Sequence, residues 1–258
     1  MSNAPVRVGL IGLGAIGHRI AKSFAANRET PVTYLCDRDA ALAERIAGEL
    51  GGIAWSTEYK AMLEGDHVDL VYIGVPPRFH RDIALDVINA GKHIFCEKPL
   101  ALTLPEAAEM AAAAAKAGIV HAVNLPLNFD PGIRIFGEQV AAGYLGDLRR
   151  VDLDLLFPQW PRAWQQNPWI GGREQGGAIR EVSPHLFHVI LRAFGPVVRV
   201  QAHMEYPADP AACETGAAGL LELASGQLVA VSLLCNVPRP ETVSLTAYGT
   251  EGTLGLQR

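Results

Sequence analysis

Lys98 is a charged residue at the end of a mostly apolar run. It directly follows "HIFCE" (93–97), an apolar run that predicts a buried strand, and it directly precedes Pro99. Burying an ammonium group costs free energy unless the group has a partner or a task. An ordinary lysine amine stays protonated at neutral pH and donates hydrogen bonds. Lys98 is therefore a candidate donor to the oxygen atom of a bound ligand.

A glycine-rich turn follows the first apolar run of the chain. "GLIGLGAIGHRIAKSF" places glycine at the first, third and sixth positions of one short stretch. The first glycine permits a tight turn, the second lets the backbone approach a pyrophosphate, and the third lets helix and strand pack closely. The start of the helix supplies N–H donors to the phosphates. The residues predicted to hold the pyrophosphate are Gly12, Gly14, Ala15, Ile16 and Gly17.

The residue that ends the second apolar run bears on the choice of dinucleotide. Asp37 stands about 20 residues beyond the glycines, where the dinucleotide-binding pattern places an acidic residue. A carboxylate there accepts hydrogen bonds from the ribose hydroxyls and repels a 2′-phosphate, which predicts NAD. Arg38 leaves NADP open, because its guanidinium could pair with a 2′-phosphate or else stack on adenine.

Apolar runs and helix-period segments alternate as far as about residue 125. Continuous apolar runs such as "VDLVYIGV" are typical of strands covered on both faces of a parallel sheet. Thr103 and Glu106 match a capping box at a helix start, and Gly118 follows the last turn. The pattern predicts a doubly wound α/β domain over residues 1–125.

The character changes after a helix expected near 131–142. Five strand-like runs follow, with one more strong helix near 184–193, and "ASGQ" between two of the runs indicates a hairpin. We predict a second domain over residues 126–258, an α+β unit built on an open, mostly antiparallel sheet.

Composition restricts the partners. The chain has 258 residues, a net charge of −5 and 49% hydrophobic residues, which argues against nucleic acid or an anionic membrane as the main partner. Cys36, Cys96, Cys213 and Cys235 are scattered, and neither His80 nor His203 has a second ligand at a usable spacing, so no metal site is predicted. We expect a cytoplasmic protein without membrane segments that acts on a small molecule.

Four stretches resemble the Gfo/Idh/MocA family, named for glucose–fructose oxidoreductase, inositol dehydrogenase and a rhizopine-catabolism protein. They are "GLIGLGAIG", "IGVPPRFH" (73–80), "CEKPLALT" (96–103) and "GGAIREVSPHLFHVILRAFG" (176–195). The resemblance covers nearly the whole chain. It implies a Rossmann domain followed by a domain on an open antiparallel sheet. It also implies hydride transfer between a nicotinamide cofactor and a sugar, a polyol or an inositol-like substrate.

The resemblance also assigns cofactor contacts. Val75 and Pro76 are expected to line the nicotinamide ribose, with His80 near that edge. Glu97 and Lys98 are expected to reach cofactor and substrate, and the Lys98–Pro99 peptide is often cis in relatives.

Oxidation of a hydroxyl needs a group that accepts its proton and a donor that holds its oxygen. We assign His185 as the base, because an ordinary imidazole is mostly neutral at neutral pH, and Lys98 as the donor. Because a nicotinamide cation would oppose the lysine charge, the two groups could also share the proton.

Glu181 stands where relatives usually have aspartate. Either it shares a helix face with His185, or Ser183 caps the helix and leaves Glu181 outside.

Two further residues are expected to contact the substrate. Asn128 stands where relatives often place an arginine, so one charged contact is expected to be missing. Trp164, with Trp160 and Trp169, forms either a stacking platform for a sugar or an ordinary packed loop.

Two other functions stay open: a non-catalytic NAD(P)-binding regulator or scaffold of the same fold, and a glycoside-processing enzyme that retains its NAD. The chain ends at "GTEGTLGLQR", where relatives often continue, so a shortened second domain is expected. Because an exposed sheet edge favours association, we also expect a homo-oligomer formed through the second-domain sheet.

Overall fold

The computed structural model describes residues 4–165 and 167–257. The described chain divides into two compact units, and the chain passes from the first to the second between Asn124 and Leu125.

The first unit is a parallel sheet in the order β3-β2-β1-β4-β5-β6, as the alternating pattern predicted. Its strands are β1 (Val8–Ile11), β2 (Val32–Cys36), β3 (Ala54–Ser56), β4 (Leu70–Ile73), β5 (His93–Glu97) and β6 (His121–Asn124). Its helices are α1 (Ala15–Ala25), α2 (Ala40–Glu49), α3 (Tyr59–Leu63), α4 (His80–Asn89) and α5 (Leu104–Ala117). All four residues of β1 are buried, as expected for a strand with helices on both faces.

Helix α5 has both of the ends that its sequence predicted. The N–H of Glu106 donates to the Thr103 hydroxyl at 3.4 Å, and the Glu106 carboxylate accepts the N–H of Thr103 at 3.2 Å. Gly118, just beyond the last turn, adopts the left-handed conformation with φ of 65°. The cap therefore fixes the start of α5 at Leu104, beyond the non-helical segment that carries Lys98.

The second unit is a mixed sheet in the order β12-β11-β7-β10-β9-β8, in which β7 and β10 are parallel and the other neighbours are antiparallel. Its strands are β7 (Leu148–Phe157), β8 (Val197–Glu205), β9 (Gly216–Leu223), β10 (Leu228–Cys235), β11 (Thr242–Gly249) and β12 (Thr253–Gln257). Its helices are α6 (Pro131–Ala141), α7 (Ala178–Glu181) and α8 (Ser183–Phe194). The mostly antiparallel sheet, the predicted helices and the "ASGQ" hairpin between β9 and β10 are confirmed. Sequence reasoning did not find β12 or α7, because both are short and β12 buries little apolar surface.

One face of the second sheet holds the core of this unit. Val151, Leu153 and Leu155 of β7 are fully buried and belong to the same cluster as Val189 and Ile190 of α8. The residues between them in β7 point to the opposite face, which is partly exposed.

Within the described ranges, no helix is both long and apolar enough to cross a membrane. The four cysteines are all buried, as expected for thiols that pack as small hydrophobic groups.

Candidate active site

The glycine-rich turn lies between β1 and α1, at the carboxyl end of the first sheet. Gly12 has φ of 90°, and a Cβ there would lie 2.6 Å from the carbonyl oxygen of Gly74. A Cβ at Gly17 would lie 1.9 Å from the carbonyl oxygen of Gly12. A Cβ at Gly14 would meet nothing within 4 Å. Two of the glycines are therefore needed for packing, while Gly14 leaves open space beside the start of α1, where a phosphate group fits.

Asp37 is oriented toward the same turn. Its Oδ2 accepts the backbone N–H of Leu13 at 2.7 Å, and its Oδ1 accepts the N–H of Asp39 at 3.0 Å. The N–H of Gly12 also donates to the carbonyl of Cys36 at 2.9 Å. The turn after β1 and the end of β2 are thus tied together, with the carboxylate beside the glycines. Arg38 is exposed.

His80 links the turns that follow β4 and β5. Its ring is fully buried, with Nε2 2.8 Å from the carbonyl oxygen of Val75 and Nδ1 3.0 Å from that of Pro99. Burial lowers the pKa of His80, although the carbonyl acceptors oppose this effect. The ring therefore faces backbone on both sides, and it holds the turn of Val75 and Pro76 against the turn of Lys98.

Glu97 is a buried carboxylate at the end of β5, with 9% of its surface exposed. Its Oε1 accepts the hydroxyl of Tyr72 at 2.8 Å and also the side-chain amide of Asn124. Its Oε2 accepts the backbone N–H of Lys98 at 3.3 Å. Burial and the neighbouring carboxylate raise the pKa of Tyr72 far above its usual value, so the phenol remains a donor. The turn at Lys98 is fixed from one side by Glu97 and from the other by His80, and the Lys98–Pro99 peptide is cis.

Sequence reasoning missed Tyr72 and Asn124. A tyrosine inside a continuous apolar run was the available signal, because a buried phenol requires a hydrogen-bond partner. For Asn124 the signal was a polar residue at the carboxyl end of β6, directly opposite Glu97 in the parallel register.

In the second unit, His185 lies in the first turn of α8 and Glu181 is the last residue of α7. Glu181 thus lies outside the helix that carries His185, as one of the two sequence-based alternatives expected, but it belongs to a short helix of its own. Ser183 is the first residue of α8 and not its cap, and its hydroxyl donates back to the carbonyl of Ile179. Val182 separates the two helices with φ of −112°, and Pro184 has no N–H to continue the hydrogen bonds across the break. Glu181 and His185 are both half-buried.

The three tryptophans do not form one platform. Trp160 packs on Phe157 with ring centroids 5.0 Å apart, and Trp169 packs against the core of the second unit. Trp164 alone is 58% exposed. Asn128 is half-buried in the short helical turn Pro126–Phe129. Of the three rings, Trp160 is buried, Trp169 is partly buried and Trp164 is mostly exposed to solvent.

Two protein-family models match the chain. The model described as an oxidoreductase family with an NAD-binding Rossmann fold matches residues 6–125. The model of the GFO/IDH/MocA C-terminal domain matches residues 133–255.

Known proteins are similar over most of this chain. It is 32% identical over 208 residues to D-glucoside 3-dehydrogenase of Escherichia coli, a match that covers 79% of this chain and 58% of that enzyme. It is 28% identical to dTDP-3,4-didehydro-2,6-dideoxy-alpha-D-glucose 3-reductase of Streptomyces violaceoruber, covering 98% of this chain and 73% of that enzyme. The WlbA dehydrogenase from Bordetella pertussis, in complex with NADH and UDP-GlcNAcA, has the same fold. Its TM-score is 0.89 at 20% identity, covering 98% of this chain and 78% of that one.

The buried Glu97 cluster gives a stability prediction. Tyr72→Phe removes one of the two donors to Glu97 Oε1, so we expect the free energy of unfolding to fall by about 1–3 kcal/mol. Urea unfolding followed by circular dichroism measures this loss. Tyr59→Phe is the matched control, because its hydroxyl also donates to a carboxylate, Asp86, but in a half-exposed position. Equal losses in the two variants would contradict the special role of the buried pair.

Proposed function

Because the chain belongs to the GFO/IDH/MocA oxidoreductase family, we propose that it is an NAD(P)-dependent oxidoreductase of sugar-like substrates. It transfers a hydride between the nicotinamide and a hydroxyl or ketone of a sugar, polyol or inositol-like molecule. The observation that carries the proposal is the turn at Lys98, which the buried groups Glu97 and His80 fix beside a glycine-rich cofactor turn. Its relatives include a glucoside dehydrogenase and a deoxysugar reductase, which supports a substrate of the sugar class.

The residues present fit a dinucleotide. Gly14 leaves the space that a pyrophosphate would fill, the start of α1 offers N–H donors, and Asp37 stands beside them for the adenosine ribose. Val75 and Pro76, held by His80, are proposed to line the nicotinamide end. When bound, the nicotinamide accepts the hydride during oxidation or supplies it during reduction.

Lys98 and His185 are proposed to handle the substrate oxygen and its proton. The lysine amine donates a hydrogen bond to the oxygen and balances the charge that develops on it. The imidazole of His185 accepts the hydroxyl proton during oxidation and returns it during reduction. Glu181, Asn128 and Trp164 are proposed substrate contacts, Glu181 beside the imidazole and Trp164 as a stacking surface for a sugar face.

Substitution of the two principal groups tests the mechanism. Lys98→Ala and His185→Ala should each lower kcat by about 10²–10⁴-fold, the range for groups that move or hold a proton. NADH binding should survive His185→Ala, because the cofactor residues lie in the first unit. Steady-state formation of reduced nicotinamide measures turnover, and fluorescence titration measures NADH binding.

Matched controls come from the same elements. His188 lies one turn beyond His185 on α8, and Lys92 directly precedes β5. His188→Ala and Lys92→Ala should leave turnover near the wild-type value. Near-normal turnover in Lys98→Ala or His185→Ala would remove that residue from the mechanism.

The same assay separates the competing functions. A panel of polyols, inositols and aldoses should give a signal with one class. NAD that binds without turnover on any substrate would instead indicate a regulator or scaffold. NAD that co-purifies and is not consumed would indicate an enzyme that retains its cofactor.

Asp37 is proposed to select NAD over NADP. Asp37→Ala should weaken NADH binding about 10- to 100-fold, because hydrogen bonds to a charged group are lost, and should weaken NADPH binding less. Asp66→Ala, a highly exposed aspartate that precedes β4, is the control and should change neither affinity. Wild-type protein that binds NADPH more tightly than NADH would overturn the proposal.

We also propose a homo-oligomer formed through the outer face of the second sheet. Leu220 on β9 and Leu234 on β10 are 45% and 38% exposed on that face, opposite the helices. Leu220→Glu should convert the oligomer to a monomer in sedimentation experiments at micromolar concentration, because it places a charge in an apolar contact. Leu191→Glu, at a similarly exposed leucine on α8, should not. A monomeric wild-type protein would contradict the proposal.

A further inference from the structure

Glu214 is a buried carboxylate outside the roles assigned above. It lies two residues before β9 and is 7% exposed. Burying a carboxylate costs free energy unless N–H groups or cations face it. Glu214 therefore needs a hydrogen-bond donor beside its carboxylate.

The carboxylate lies at the beginning of α7. Its Oε1 accepts the backbone N–H of Ile179 at 2.8 Å. Gly177, which precedes α7 with φ of 101°, makes room for this approach, because a Cβ there would lie 2.3 Å from Oε2 of Glu214. The first N–H groups of a helix have no partner within the helix and carry partial positive charge. Glu214 supplies both an acceptor and the opposite charge.

The helix start that Glu214 holds leads directly to the proposed catalytic groups. Ile179 donates its N–H to Glu214 and accepts the Ser183 hydroxyl at its carbonyl oxygen. Glu181 ends α7, and His185 follows in the first turn of α8. Two hydrogen bonds thus connect Glu214 to the helix break at Val182, on whose two sides Glu181 and His185 stand.

Glu214 is itself held by a fixed segment of backbone. The N–H of Cys213 donates to the carbonyl of Gly171 at 2.9 Å, and the N–H of Arg173 donates to the carbonyl of Ala211 at 2.8 Å. The loop before α7 is therefore joined to the chain that carries Glu214. Because Cys213 directly precedes Glu214, these two bonds hold the backbone of Glu214 against the loop before α7.

We propose that Glu214 is a positioning residue for the oxidoreductase reaction. Its hydrogen bond to Ile179 sets the start of α7, and through the break at Val182 it sets the orientation of Glu181 and His185, without touching the substrate. This inference rests on the proposed function of His185.

Kinetics of Glu214→Ala and Glu214→Gln in the full chain test the proposal. Glu214→Ala should lower kcat on the sugar or polyol turned over by the wild type about 10- to 100-fold, as expected for a displaced catalytic group. Its NADH affinity should stay within about twofold of wild type. Glu214→Gln has the same shape and keeps an oxygen for the Ile179 N–H, so it should recover most of the turnover. Glu222→Ala, a carboxylate on β9 that pairs with Arg199, is the matched control and should behave as wild type.

Two results would overturn the proposal: wild-type kcat in Glu214→Ala, or equal impairment of the alanine and glutamine variants. A role in folding alone would lower the yield or melting temperature and leave kcat per folded molecule unchanged. If the alanine variant does not fold, Glu214→Asp replaces it. Its carboxylate is one methylene too short to reach Ile179, and the same outcomes apply.

NMR of the His185 ring separates failure of this inference from failure of the proposed function. The His185 resonance is identified by its loss in His185→Ala. A ring shift that changes in Glu214→Ala and returns in Glu214→Gln supports the positioning role even if the wild type is inactive on every substrate. An unchanged resonance in both variants would contradict the positioning role, whether or not the wild type is active.

Discussion

The buried carboxylate of Glu97 is the constraint on which the first unit's site depends. A carboxylate in that position must be surrounded by donors, because the alternative is a large desolvation penalty. Its donors come from β4, from β6 and from the backbone of the Lys98 turn. Three neighbouring segments are thereby fixed around one group. Lys98 directly follows β5, and its turn is held by Glu97 and His80, as the proposed role in positioning a substrate requires.

Close backbone approach imposes a second constraint at the same edge of the sheet. The packing of Gly12 against Gly74 and of Gly17 against Gly12 leaves no room for side chains, so the turns after β1 and β4 lie against each other. The His80 ring bridges the turn after β4 and the turn after β5, because its two nitrogens face the carbonyls of Val75 and Pro99. Asp37, which directly follows β2, accepts a hydrogen bond from Leu13 in the turn after β1, so the end of β2 is joined to the same edge. The ends of β1, β2, β4 and β5 are therefore joined by close backbone packing and by hydrogen bonds, and the glycine-rich turn and the Lys98 turn belong to one connected edge of the sheet.

In the second unit, the candidate base His185 is positioned in a different way. Among the described residues of this unit, the helices pack on one face of the sheet, and the candidate base His185 lies just after a break between two helices. A break of this kind gives up a helical hydrogen bond at Pro184, so the short first helix needs support from outside. Glu214 provides this support, and Gly177 allows the carboxylate to come close enough.

The sequence by itself determined the alternation of strands and helices, the glycine turn with Asp37, the caps of α5 and the family, because each of these depends on residues that are neighbours along the chain. Local patterns of that kind report backbone conformation and burial directly. Only the tertiary structure decided which groups surround Glu97, that Trp160 and Trp169 pack inward while Trp164 faces solvent, and that Glu181 and His185 stand on different helices. Tyr72, Asn124 and Glu214 are distant in sequence from the residues they hold, and nothing in their local pattern names a partner. Their roles follow from burial, since a polar group removed from water must find its hydrogen bonds wherever the fold supplies them.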